Sequence, residues 1–248
     1  MPAFKAKTCF FEKDPSVALY RRVLSEVVGT LLLVFCVVSA GIALQRVTSD
    51  PVALLAVLAL VTGGALCGLV VAFGGSSGGH FNPLITVLQW LSGDRDIRCT
   101  VAYVVGQCAG GMLGALLANF LLSGERPAMH LPADLLHPMI AEAVMTAGLM
   151  IVIFGCMRAQ RAMTGPFAVA VWLTAALLAF PTAYMNPAIA LSATWADGAV
   201  ALPLSRALFL ILAEIAGAAG ALAVIAIAYP RSRKAGIDSQ MAGPITEM

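Results

Sequence analysis

Apolar residues in this chain come in long unbroken blocks, without helical or strand alternation. The blocks run roughly over 20–43, 52–74, 99–122, 138–158, 166–182 and 206–229. A helix that crosses a bilayer needs about 20 mainly apolar residues, so the pattern predicts six spans. Two shorter blocks stand between spans. NPLITVLQWLSG follows the second span and NPAIALSATWADG follows the fifth. Each is apolar for about ten residues, which at about 1.5 Å per residue covers roughly 15 Å, half of a hydrocarbon core about 30 Å thick. Each opens on Asn-Pro. Asn is a good helix N-cap, and Pro suits the first helical position, where its missing N–H costs nothing. The pattern therefore predicts half-helices over 82–92 and 186–195. The expected fold class is an all-α membrane protein of six transmembrane helices and two half-helices.

Composition agrees with that pattern. The 248 residues are 60% hydrophobic and 11% charged, against about 25% charged in soluble domains. The net charge of +2 matters less than its placement. With the N-terminus inside and the spans alternating, Lys5, Lys7, Lys13, Arg21, Arg22, Arg95, Arg98, Arg158, Arg161, Arg231, Arg233 and Lys234 lie on the inner side. Only Arg46, Arg126 and Arg206 lie outside. That bias predicts a multi-pass protein of the plasma (inner) membrane with both termini cytoplasmic. Residues 1–19 and 230–248 read as cytoplasmic tails, the first without a removable signal. No basic arm suggests nucleic acid. Cys9, Cys36, Cys67, Cys99, Cys108 and Cys156 show no CxxC and no pairing pattern, and read as apolar packing.

The two halves resemble each other. Span one carries Glu26 in SEVVGT, and span four carries Glu142 in AEAVMTA. Each half then gives a span, an Asn-Pro segment and a last span. Three spans are an odd number, so the second half enters the membrane upside down. The organisation is an inverted repeat, 20–122 and 138–229, with short broken segments at matching places. One half-helix enters from inside and the other from outside, so their N-termini meet near the midplane. Backbone that is not helical survives at that depth only within protein or along a water-filled cavity. Two helix N-termini and two Asn amides at one point favour the oxygens of neutral solutes and repel cations.

The plan resembles that of the aquaporin, or major intrinsic protein, family. The resemblance covers about residues 20 to 229 and rests on SEVVGTLLLVF, GGHFNPLITV, GQCAGGMLGA, AEAVMTAGLM, MNPAIALSA and LAEIAGAAGAL. It implies a passive channel, a homotetramer with one pore per subunit, membrane lipid and small neutral solutes as partners, and no cofactor. It also implies that the matching glutamates, Glu26 and Glu142, accept hydrogen bonds from loop backbone; a proton relay is the other role open to them. The family's Asn-Pro-Ala box is Asn82-Pro83-Leu84 in the first half and Asn186-Pro187-Ala188 in the second. Leu84 adds bulk beside the expected constriction. An arginine usually follows the second box, and Ile189 stands there. The remaining filter positions carry over by spacing as Thr62, Thr174 and Ala183. That set has two hydroxyls, no aromatic, no His and no fixed charge. It predicts a wide filter for water, glycerol, urea or metalloid hydroxides such as arsenite, and is similar to the bacterial subgroup associated with arsenic handling, which moves arsenite and methylated arsenicals. An ordinary water-selective channel is the alternative.

Other residues change the picture less. His80, two before Asn82, is either a pH gate or a hydrogen-bonded loop residue at the inner mouth. His130 and His137 share an outer loop without a second ligand pair, so no metal site is expected. Gly106, Gly110, Gly114, Gly217 and Gly220 read as close helix packing. Met185 is a candidate to line the pore, and Glu214 is expected near the inner part of the last span. Inverted repeats also build secondary transporters, but coupling needs ionisable groups at the midplane, where the candidates Asn82 and Asn186 are neutral. No nucleophile–base pair, metal cluster or nucleotide motif suggests an enzyme, and no catalytic residue is expected.

Overall fold

A computed structural model of the chain describes residues 17–122, 134–159, 161 and 163–229. The tail readings over 1–16 and 230–248, with Cys9, Arg126 and His130, lie outside the described residues. The helices are α1 (Leu19–Val47), α2 (Pro51–Ser77), α3 (Pro83–Leu91), α4 (Ile97–Leu121), α5 (Leu136–Arg158), α6 (Gly165–Ala179), α7 (Pro187–Ser192) and α8 (Leu204–Ala228). Two 3-10 turns, Ala193–Trp195 and Gly198–Val200, follow α7. Helices α1, α2, α4, α5 and α8 are 23 to 29 residues long and apolar enough to cross a membrane.

Helix α6 is the exception. The expected span 166–182 stops at Ala179 after 15 residues. Pro181 explains the stop. A proline disfavours helical backbone in the residue before it, and Phe180 is extended, with φ −136° and ψ 92°. The second half-helix is also shorter than 186–195, because α7 ends at Ser192 and tightens into the 3-10 turn.

Local chemistry sets the helix starts. Asp50 caps α2 by accepting from the Val52 N–H at 2.9 Å, and Asp96 caps α4 by accepting from the Cys99 N–H at 2.9 Å. Asn82 and Asn186 cap α3 and α7 by accepting from the Leu84 and Ala188 N–H groups at 2.9 and 3.0 Å. Proline follows each Asn as the first helical residue. The residue before each Asn is strained in the same way. Phe81 (φ 48°) and Met185 (φ 53°) are left-handed, at a cost of about 1–2 kcal/mol each for a non-glycine residue. Both side chains are fully buried.

Packing then closes the bundle. Helix α1 lies on α4 and α2, α5 on α8, and α2 on α6. Small residues permit the closest crossings. A Cβ on Gly110 or Gly114 of α4 would stand 2.3 Å from the carbonyl oxygen of Val27 or Leu31 on α1, and one on Gly217 of α8 would stand 2.1 Å from that of Ala143 on α5. Gly220 departs from the packing expectation, since nothing lies within 4 Å of the position its Cβ would take. The outward faces carry large apolar side chains such as Val105, Phe120, Val171 and Ile227, the surface a lipid-facing bundle needs.

Candidate pore and its constriction

The loops that lead into α3 and α7 are pinned by buried carboxylates. Glu26 Oε1 accepts from the Ser77 hydroxyl at 2.6 Å and the His80 N–H at 3.0 Å. Its Oε2 accepts from the Phe81 N–H and from Gln107 Nε2, both at 2.8 Å. In the second half Glu142 accepts from the Tyr184 and Met185 N–H groups. Glu214 takes the next donor, the Asn186 N–H, at 2.8 Å. Glu214 therefore lies beside the half-helix tip and not near the inner part of the last span. Helix α8 crosses that tip at its middle turns. Sequence reasoning missed its role, although an acidic residue inside an apolar helix was a usable signal.

The two asparagines cross-brace the tips. Asn82 Nδ2 donates to the Met185 carbonyl at 2.9 Å, and Asn186 Nδ2 donates to the Phe81 carbonyl at 2.8 Å. Each amide nitrogen carries two hydrogens, and one remains for a solute. Helix α7 has only six residues, so these amides, more than a long helix dipole, supply the positive character of the junction.

A cavity of about 620 Å³ lies on the side where α1 ends and α2 begins. A narrower one, of about 40 Å³, lies on the other side of the waist and reaches Asn82, Asn186, His80 and Met185. Both share Leu173, Tyr184 and Ile189, so the passage narrows there. Thr62, Ala183 and Ile189 line the wide cavity. Among the described lining residues of either cavity there is no Asp, Glu, Lys or Arg.

Five residues grouped with the pore by sequence line neither cavity. Thr174 faces α2: its hydroxyl sits where a Gly63 Cβ would be, 2.1 Å away, and donates to the Ala59 carbonyl at 3.4 Å. Trp172 covers Gly148 of α5. These contacts fix the rotation of α6, and the face left toward the cavity carries Leu173 and Leu177, four residues apart. Leu84 packs in the buried cluster with Leu88, Leu149 and Met150, and the α3 residue that lines the narrow cavity is Ile85. Pro83, Pro187 and Ala188 shape the half-helix starts and line neither cavity.

At the end of the bundle where α1 begins, His80 is buried, with Nδ1 2.9 Å from the Thr86 hydroxyl and its ring edge-on to Tyr103. The Tyr103 hydroxyl donates to the Ser77 carbonyl at 2.8 Å, and the Arg95 guanidinium lies 4.2 Å from the Tyr103 ring centroid. Arg22 and Arg95 both donate to Cys99 Sγ, at 3.0 and 2.6 Å. Cys99 is thus a polar acceptor in a cationic cluster and not simple apolar packing. His137 stands exposed at the opposite end, bonded to Asp134, and the ring holds the Asp134 carboxyl below its ordinary range.

Long apolar helices, two half-helices meeting tip to tip, and cavities lined without Asp, Glu, Lys or Arg that lead to the junction define a multi-pass membrane channel. The family model described as Major intrinsic protein matches residues 13–194. The chain is 33% identical over 213 residues to Aquaglyceroporin AqpS of Rhizobium meliloti (strain 1021), covering 84% of this chain and 89% of that one. It is 32% identical over 203 residues to Aquaporin TIP4-1 of Zea mays, covering 76% and 80%. The X-ray structure of the aquaglyceroporin from Plasmodium falciparum shares the fold, with a TM-score of 0.69 at 16% identity over 86% of this chain and 97% of that one. The chain belongs to the major intrinsic protein family. It is a passive channel for small solutes and not an enzyme.

Proposed function

We propose that this channel passes small uncharged solutes larger than water, such as glycerol, urea and metalloid hydroxides including arsenite and methylated arsenicals, through a wide filter without arginine. The supporting observation is the wall of the passage. Thr62, Ala183, Ile189 and Leu173 surround it without a fixed charge. Thr62 donates its hydroxyl hydrogen to the Leu58 carbonyl at 2.7 Å, so it offers a solute only acceptor lone pairs. A solute crossing such a wall exchanges water for aliphatic contact and then meets the Asn82 and Asn186 amides. That sequence suits a molecule with an apolar face and a few hydroxyls. The site assignment follows from it: filter at Thr62, Ala183 and Ile189 with Leu173 in place of Thr174, constriction at Asn82 and Asn186, loop support from Glu26 and Glu142. The reading includes repeats at 20–122 and 138–229, insertion in the inner membrane with both termini cytoplasmic, and a homotetramer.

The narrow cavity of about 40 Å³ favours a second reading, a water-selective channel limited below the waist. Stopped-flow light scattering on proteoliposomes separates the two. Glycerol and arsenite entry well above empty liposomes, insensitive to protonophores and ion gradients, is the expected result. Ile189→Arg should cut solute entry sharply. Fast water entry without solute entry, or an Ile189→Arg variant with unchanged solute entry, overturns the wide-filter reading. Flux that collapses with the proton gradient overturns passive conduction of these solutes.

A further inference from the structure

Three successive backbone donors behind the second half-helix end on carboxylates from two different helices. Glu142 of α5 serves Tyr184 and Met185, and Glu214 of α8 serves Asn186. Both acids are fully buried, and because they serve successive residues of one loop their carboxyl groups are held side by side. Glu214 Oε2 is buried and meets no donor among the described residues. Two ionised carboxylates in contact inside a membrane are opposed by like-charge repulsion and by lost hydration. One proton at the contact removes the conflict. It gives the contact an O–H donor and leaves the pair a single negative charge for the three N–H groups.

The first half meets the same demand with a neutral group. Gln107 of α4 donates Nε2 to Glu26 Oε2 at 2.8 Å. An amide keeps that donor at any pH, whereas a carboxylic acid keeps it only while protonated.

We propose that Glu142 and Glu214 share one proton, and that this protonated pair positions the Tyr184–Asn186 backbone, so that the second half-helix tip responds to pH where the first does not. Hydroxide removes the proton as water and leaves two carboxylates in contact. The pair then pushes α5 and α8 apart. The Asn186 N–H loses its fixed acceptor, and the Asn186 amide loses its aim across the junction at the Phe81 carbonyl. Both glutamates are positioning residues, acting through Asn186 on any solute that passes it. The groups facing the pair are few. Of the elements packed on α8, α3, α7 and the Ala193–Trp195 turn carry no titratable side chain. Helix α5 carries Glu142 at the contact, His137 near its start, and Cys156 and Arg158 near its far end. Arg206 lies eight residues from Glu214 on α8 itself. Tyr184, in the loop, directs its hydroxyl to the Val200 carbonyl at 2.9 Å.

The test uses full-length protein in proteoliposomes, with water entry read from mildly acidic to alkaline buffer on both faces. Wild type should lose flux several-fold on the alkaline side. Glu214→Gln should show little or no such loss, because its amide donates to Glu142 and accepts from Asn186 at every pH. Infrared difference spectra should show a protonated carboxyl band that disappears in alkali in wild type and is missing from Glu214→Gln. Glu142→Gln provides the same comparison if Glu214→Gln fails to insert. Matching pH profiles for wild type and variant, or no protonated carboxyl band in wild type, overturn the proposal. A flat wild-type profile does so whatever the variants show.

Discussion

Replacing Glu26 by Ala tests how the first half-helix is held. The side chain is fully buried and accepts from four donors: the Ser77 hydroxyl, the His80 and Phe81 N–H groups, and Gln107 Nε2. The four are not equally replaceable. The Ser77 hydroxyl can rotate, and Gln107 Nε2 keeps a second acceptor, the Thr86 hydroxyl at 3.0 Å. The two backbone donors cannot turn away, because Phe81 is held at φ 48° by the chain on either side. Stranding a buried donor costs about 1–3 kcal/mol, so the two together cost about 2–6 kcal/mol before any term for the emptied volume. That is a large fraction of a typical total stability of about 5–15 kcal/mol. Glu26→Ala should therefore unfold at clearly lower temperature in detergent, followed by intrinsic fluorescence, and should lose flux in liposomes, since Phe81 is the acceptor for the Asn186 amide. Glu26→Gln should fall between the two. Its amide group must face donors on one side, Ser77 and His80, or on the other, Phe81 and Gln107. An Ala variant with wild-type Tm and flux would refute the assignment of Glu26 as the anchor of this loop.

Two further predictions concern helix faces. Thr174→Val removes a long hydroxyl contact between α6 and α2 and should leave solute selectivity unchanged, with stability lowered by about 0.5–1.5 kcal/mol. Leu173→Trp places bulk at the waist and should cut glycerol entry more than water entry; equal effects of the two substitutions on selectivity would count against the α6 rotation described above. Gly217→Leu should abolish stable insertion, because its Cβ would meet the Ala143 carbonyl oxygen at 2.1 Å, while Gly220→Ala meets nothing within 4 Å and should raise the melting temperature slightly, a gain of up to about 1 kcal/mol in helix propensity. Size-exclusion profiles and thermal melts of the two variants decide this point.

The sequence by itself determined the features that depend on local chemistry and on length. Six long apolar blocks are too greasy for water, and two further blocks are too short to cross a bilayer. Asn followed by Pro starts a helix wherever the chain places it, because the cap and the ring act within three residues. The Pro181 stop was equally local, and was legible in principle, yet the apolar run through 182 hid it. What only the tertiary structure decided is which side of each helix faces the passage. Helix α6 is apolar all round, so no periodicity in VAVWLTAALLA separates Leu173 from Thr174. Its rotation comes from Trp172 lying on Gly148 and Thr174 lying on Gly63, contacts with residues far away in the chain. The same holds for Leu84, which is turned into the core, for Gly220, which is turned away from every neighbour, and for Cys99, which Arg22 reaches from 77 residues back along the chain. Glu214 is the clearest instance. Its cost inside an apolar helix was visible in the sequence, but its partners, Glu142 and the Asn186 N–H, lie 72 and 28 residues back along the chain. Only folding brings them together.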